Sequence, residues 1–312
     1  MSGPVEEQTV DGADLGMSTI EVKEGRTAQV GEMHVVRVLP TKQKRAVGPW
    51  CFVDLMSPDD IEEPPPLEIG PHPHIGLATV TWLFAGSALH SDSLGSEQII
   101  SPGQLNLMTS GHGLAHAELG VEPATAGDTG GIVGAQMWLA QPESTRHGES
   151  RFEHLGTLPE FELAGSRGVA FLGGLGDAVS PAIVDHPAVG LDLTVDAPTV
   201  ISANQSFEYA IVPINRAVRV EDAIVEPGSL AFVPAGQEEL RIEGLSDGIR
   251  LLILGGKPLG EQIKMWWNFV ARDQDEITDA WRDWRDHNDE RFGPVPSSLA
   301  RIDAPTPPWI RE

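Results

Sequence analysis

Four residues in one stretch have the types and spacing of a metal-ligand set. His72 and His74 stand one residue apart in Pro71-His72-Pro73-His74-Ile75-Gly76. His116 and Glu118 do the same in Gly111-His112-Gly113-Leu114-Ala115-His116-Ala117-Glu118. Successive side chains of a β-strand point to opposite faces, so residues i and i+2 share one. Each pair is therefore a two-pronged ligand wherever its segment is extended. Two such pairs closing on one point inside a small barrel would offer three imidazoles and a carboxylate, which suits a borderline transition metal such as iron. Either pair alone is as readily structural: His72 a turn residue between two prolines, His116 a satisfied buried histidine. Their joint occurrence on either side of one strand-turn-strand segment is what points to a metal.

The segment between the pairs reads as β structure. Residues 77–84 are rich in β-branched and aromatic side chains with partial alternation. Ala85-Gly86-Ser87 and Pro102-Gly103 read as turns, and Leu105-Asn106-Leu107-Met108-Thr109 as a further strand. Both ligand pairs then sit where strands meet loops, a position open to small molecules.

The remainder of the chain supplies the scaffold. Its 312 residues favour two domains, with 40% apolar residues and many turn formers, Gly 34 and Pro 25. Lys+Arg 21 against Asp+Glu 46 gives a net charge of −25. Such a surface repels phosphate and anionic lipid, which argues against nucleic-acid and membrane partners. The single cysteine, Cys51, precludes an intramolecular disulfide and reads as a small buried hydrophobe. No apolar run is long enough to span a bilayer, and the acidic N-terminus lacks the features of a signal peptide, so the expected location is cytoplasmic.

Taken in order, residues 1–16 read as a frayed acidic end and residues 33–39 as the clearest early strand. A second strand region covers 47–56. Pro64-Pro65-Pro66 reads as an extended connection leading to His72, and residues 122–130 as a small-residue loop. Residues 131–139 return as a strand, and 141–149 mark the candidate domain boundary. The division is 1–143 for a metal-binding barrel and 144–312 for a second barrel without ligands. Gly173-Gly174-Leu175-Gly176 fits neither nucleotide-binding fingerprint and reads as turns.

The second half resembles a weak copy of the first. Residues 227–236 parallel 102–111, which aligns His116 with Arg241 and Glu118 with Glu243 and places the counterparts of His72 and His74 near Ser202 and Asn204. The copy keeps the turn glycines and lacks the imidazoles, implying two stacked barrels of which one binds metal. Ile277, Ala280, Trp281 and Trp284 then recur at helical spacing, predicting an amphipathic helix over 275–286 packed on barrel strands. Residues 293–312 read as a proline-rich, extended end.

The motifs together resemble the pirin family of the cupin superfamily. The resemblance is carried by Pro71-His72-Pro73-His74-x-Gly76, His90-x-Asp92-Ser93-x-Gly95, Pro102-Gly103, Met108-Thr109 and Gly111-x-Gly113-x-x-His116-Ala117-Glu118, and covers residues 35–293. It implies an all-β fold of two stacked cupin (jelly-roll) β-barrels with a C-terminal helix. It also implies one Fe(II) held in the first barrel by His72, His74, His116 and Glu118, other divalent metals remaining open. The implied activity is of quercetin 2,3-dioxygenase type, acting on a flavonol and dioxygen with Glu118 as ligand and base. The alternative it implies is a non-enzymatic, iron-dependent regulator with a transcription factor or metabolic enzyme as protein partner. Three positions depart from the family pattern. Ile75 stands where many relatives carry a basic residue, Ala78 where many carry glutamate, and His112, a candidate substrate contact, where they usually carry arginine.

Overall fold

The computed structural model describes residues 20–30, 33–42, 44–57, 67–121 and 131–311. The expected frayed end, the triple-proline connection and the 122–130 loop fall outside the described residues. Within them the chain is built of antiparallel strands and a single helix. Two seven-stranded sheets lie back to back. The first runs, in order, Arg151–Leu155, Leu105–Thr109, Leu77–Ala85, Val133–Ala140, Trp50–Met56, Met33–Leu39, Arg26–Val30. The second runs Glu21–Glu24, Ser229–Val233, Glu208–Pro213, Ile249–Gly256, Ala188–Val195, Ser166–Leu172, Glu160–Leu163. Strand alternation sorts the first sheet's side chains. Val80, Trp82, Leu105, Leu107 and Met137 pack with Phe171, Val212, Phe232, Leu252 and Leu254 in one core between the sheets. Trp82 anchors this core, stacking on Phe171 and donating from Nε1 to Asp192 at 2.8 Å.

Each large sheet is closed on its far side by a four-stranded sheet, which makes two stacked cupin barrels. The first closing sheet has the order Glu68–His74, Leu114–Gly120, Ala88–Asp92, Glu97–Ile100, and carries both ligand pairs. The second has the order Thr199–Ser202, Glu239–Gly244, Val218–Val220, Ala223–Val225. The barrels exchange edges. Glu21–Glu24 pairs with Ser229–Val233 in the second sheet, and Arg151–Leu155 pairs with Leu105–Thr109 in the first.

The linear alignment of the two halves is one residue out of phase with the pleat. Arg241 and Glu243 are exposed, whereas Leu240 and Ile242 are buried in the second barrel. Their partners in the ladder are Ile201 and Thr199, both buried, while Ser202 faces out. Hydrophobic burial sets the phase, because a slip of one residue would turn Leu240 and Ile242 to solvent. The second barrel interior at these positions is lined by Leu240, Ile242, Ile201 and Thr199, not by Arg241 and Glu243.

The helix α1 runs Gln274–Arg285, capped by Asp273, whose carboxylate accepts from Glu276 N at 2.9 Å. Its predicted stripe is buried: Ile277, Ala280, Trp281 and Trp284 pack with Ile75, Ala115, Phe269 and Phe292. Ala115 lies between Leu114 and His116 on its strand, so α1 covers the outer face of the strand whose inner face carries His116. Residues 300–309 continue the packing: Ile302 N donates to Pro71 O at 2.9 Å and Trp309 joins the cluster. Gly76 is required where the Phe269–Ala271 strand crosses: φ is +65° and an added Cβ would stand 2.2 Å from Val270 O.

Candidate metal centre

The ladder brings the two distant pairs together. Glu68–His74 runs antiparallel to Leu114–Gly120, with His116 opposite His72 and Leu114 opposite His74. All three imidazoles point into the first barrel and are almost fully buried. Each is oriented through its Nδ1. His72 Nδ1 donates to Gly70 O at 2.9 Å, and His74 Nδ1 donates to Asn268 O at 3.1 Å. His116 Nδ1 meets His90 Nδ1 at 3.4 Å. With the Nδ1 atoms engaged, the Nε2 atoms are left to converge. Those of His74 and His116 lie 3.1 Å apart, and one ligand atom from each of the three rings falls within 4.8 Å of the others. Two nitrogens about 2.1 Å from one ion at a right angle would be separated by about 3 Å. The donor set thus fits a transition-metal ion.

Electrostatics favour the same reading. Burial lowers the pKa of His72 to about 4. Burial, then the neighbouring imidazoles, hold His74 and His116 well below the usual histidine range. The rings are therefore neutral at physiological pH, the form that binds metal.

Glu118 stands apart from this trio. A register shift interrupts the ladder between His116 and Glu118, so Glu118 pairs with Ile69. Its carboxylate is not among the atoms that cluster within 4.8 Å. It nevertheless lines the same cavity, with Oε1 accepting from Thr81 Oγ1 at 3.4 Å. Burial raises its pKa, opposed by His90 and the Thr81 hydrogen bond. His112 does not reach this cavity: it is exposed in the turn between Leu105–Thr109 and Leu114–Gly120, its ring 6.4 Å from that of His147. Ile75 is buried under α1, and Ala78 is also buried.

The cavity holds about 470 Å³ and is lined by His72, His74 and Glu118, by the stacked pair Phe52 and Trp138, and by the Arg37–Asp54 ion pair. Trp267 and Asn268 close it from the C-terminal half. Trp267 has φ +52°, a left-handed conformation costly for a bulky residue. The carbonyl of the following Asn268 is the one that orients His74. No sequence motif near His74 announces this partner. His90 and Asp92 are the other residues that spacing left unassigned, although His-x-Asp in a strand puts both on one face.

Comparison with known proteins agrees with the fold. The family model described as "Pirin" matches residues 32–139, and that described as "Pirin C-terminal cupin domain" matches residues 189–293.

The chain belongs to the pirin family.

Among curated pirin relatives, "Putative quercetin 2,3-dioxygenase PA1205" of Pseudomonas aeruginosa is 38% identical over 288 residues, 91% of this chain and 89% of that protein. A "Pirin-like protein" of Caulobacter vibrioides is 32% identical over 271 residues, 85% of this chain and 92% of the other. Among solved structures, a quercetin 2,3-dioxygenase from Acinetobacter baumannii superposes with a TM-score of 0.86 at 37% identity, covering 94% of this chain and 97% of that one. As in other cupins, the pirin scaffold here is strands throughout the barrels, and no helix among the described residues is long and apolar enough to cross a membrane.

Proposed function

We propose that this pirin is a metal-dependent dioxygenase of quercetin 2,3-dioxygenase type, acting on a flavonol at the first barrel. The observation that carries the reading is the convergence of three neutral imidazoles, two of which, His72 and His74, line a cavity walled by aromatic side chains. Its volume, about 470 Å³, lies within the roughly 300–1,000 Å³ of small-molecule sites. The names of the Pseudomonas and Acinetobacter relatives support the same chemistry.

His72, His74 and His116 would hold the ion, which we assign as Fe(II), with Glu118 as fourth ligand. A bound Fe(II) with open positions supplies a meeting point for an oxygen donor and dioxygen. The chain's own residues do the rest. Phe52 and Trp138 present a flat stacked face against which a planar ring system can lie. Buried Glu118 has a raised affinity for protons, the direction needed to accept one from a substrate hydroxyl. The Thr81 hydroxyl lies 3.4 Å from its carboxylate and 2.9 Å from Gln136 Oε1. Trp267 and Ile302 exclude water from one side. Ring cleavage of the flavonol would incorporate both atoms of dioxygen and release carbon monoxide.

The test is to load the protein anaerobically with Fe(II), confirm the stoichiometry by elemental analysis, and add quercetin in air. Loss of flavonol absorbance with release of carbon monoxide, abolished in His74→Ala, is expected. A protein with one iron per chain and no turnover would refute the enzyme. A partner binding the ferrous and ferric forms unequally would then establish the regulatory role instead.

A further inference from the structure

Of the three ligand imidazoles, His116 alone is backed by another side chain instead of a carbonyl oxygen. His90 Nδ1 lies 3.4 Å from His116 Nδ1, and His90 Nε2 lies 3.1 Å from Asp92 Oδ2. His90 is buried and its ring stacks on Phe152, centroids 4.4 Å apart and 9° from parallel. Asp92 is fully buried, and its other oxygen, Oδ1, accepts from Leu94 N and Ser96 N, each at 2.9 Å. The carboxylate is thus anchored by backbone, and the stack on Phe152 fixes the plane of the ring above it.

The direction of this chain of hydrogen bonds is fixed from its far end. A carboxylate only accepts, so His90 Nε2 carries a proton, and in the neutral ring His90 Nδ1 then presents a lone pair. His116 Nδ1 must then be the donor, which leaves the His116 Nε2 lone pair facing those of His72 and His74. We infer that His90 and Asp92 are positioning residues for the metal: Asp92, through His90, sets His116 in the tautomer that can ligate. This rests on the reading that the three imidazoles hold an ion. It extends the familiar carboxylate–histidine–metal arrangement by one imidazole.

Asp92→Asn isolates the effect. The asparagine Oδ1 can still accept from Leu94 N and Ser96 N, so the turn is kept. Its Nδ2 then faces His90 Nε2 as a donor, which forces the His90 proton onto Nδ1 and aims it at His116 Nδ1. His116 Nδ1 must become the acceptor and its Nε2 carries the proton, the form that cannot ligate. The same inversion of tautomer underlies the effect of replacing the aspartate of a catalytic triad by asparagine. His90→Gln preserves the polarity, since its carbonyl can accept from His116 and its amide donate to Asp92. His90→Phe keeps the stack on Phe152 and removes the relay.

Zinc affinity, measured by chelator competition, is expected to fall about 10–100-fold in Asp92→Asn and in His90→Phe, with His90→Gln retaining most of it. Adding Asp92→Asn to His90→Phe should cost nothing further, because the inversion needs His90. Long-range proton–nitrogen NMR of the zinc-loaded wild type should show His90 protonated on Nε2 and His116 on Nδ1. Urea melts of the metal-free variants report any change in the scaffold separately. A wild type with His90 protonated on Nδ1, or an Asp92→Asn protein binding zinc as tightly as wild type, overturns the relay alone. A wild type that binds no zinc overturns the metal site and the relay together.

Discussion

Acidifying the metal-free protein from about pH 7 to about pH 5 is expected to destabilise it through its buried histidine trio. His72 is 7% exposed and burial carries its pKa from 6.5 down to about 4. Between those values the unfolded chain binds a proton that the native site refuses, so stability rises with pH across the window and is lost as pH falls through it. At pH 5 the loss from His72 alone is about 2 kcal/mol, from roughly 1.5 pH units at about 1.4 kcal/mol per unit. His74 and His116 are shifted the same way, so their contributions share its sign. Glu118 acts in the opposite sense, because its raised pKa makes proton uptake favour the native state as pH falls. His72→Gln removes one titrating ring and, with it, part of the downward shift of His74 and His116, which adds to the difference in the same direction. The assay is urea unfolding in the presence of chelator at about pH 5, 6 and 7 for wild type and variant. The stability of wild type relative to His72→Gln should drop by about 2 kcal/mol from the highest pH to the lowest. A difference that stays constant within about 0.5 kcal/mol would show that His72 is not held neutral by burial.

Further outcomes follow from the same geometry. Gly76→Ala should cost about 2–4 kcal/mol, seen as a lowered urea midpoint, because φ is +65° and Val270 O occupies the place of the new Cβ. Trp82→Phe should cost about 2 kcal/mol by losing its bond to Asp192 and part of its packing on Phe171, yet leave zinc affinity unchanged, since Trp82 faces the sheet interface and not the cavity. On the proposed activity, Trp267→Ala should raise KM for a flavonol up to about tenfold while bound metal stays at the wild-type level, because it removes an aromatic wall of the cavity and none of the clustered histidines.

The sequence by itself determined the histidine trio and most of the elements around it. His72, His74 and His116 were legible because a two-residue period places same-face residues together in any strand, and both segments are strands. The helix was legible because Ile277, Ala280, Trp281 and Trp284 recur at 3.6-residue spacing, and its bounds differ from the expected ones by a single residue at each end. Local periodicity carries such information because it depends only on backbone geometry. Tertiary structure alone decided which nitrogen each histidine offers. For His72 and His74 that choice rests on Gly70 O and on Asn268 O, the latter 194 residues from His74 along the chain. Only the structure separated Glu118 from the trio, through a ladder irregularity that residue types do not encode. Only the structure placed His112 in solvent and set the phase of the second barrel, where burying Leu240 and Ile242 outweighs the register suggested by matching turn glycines. Contacts between residues far apart in sequence are fixed by what the fold can bury, and no local pattern records them.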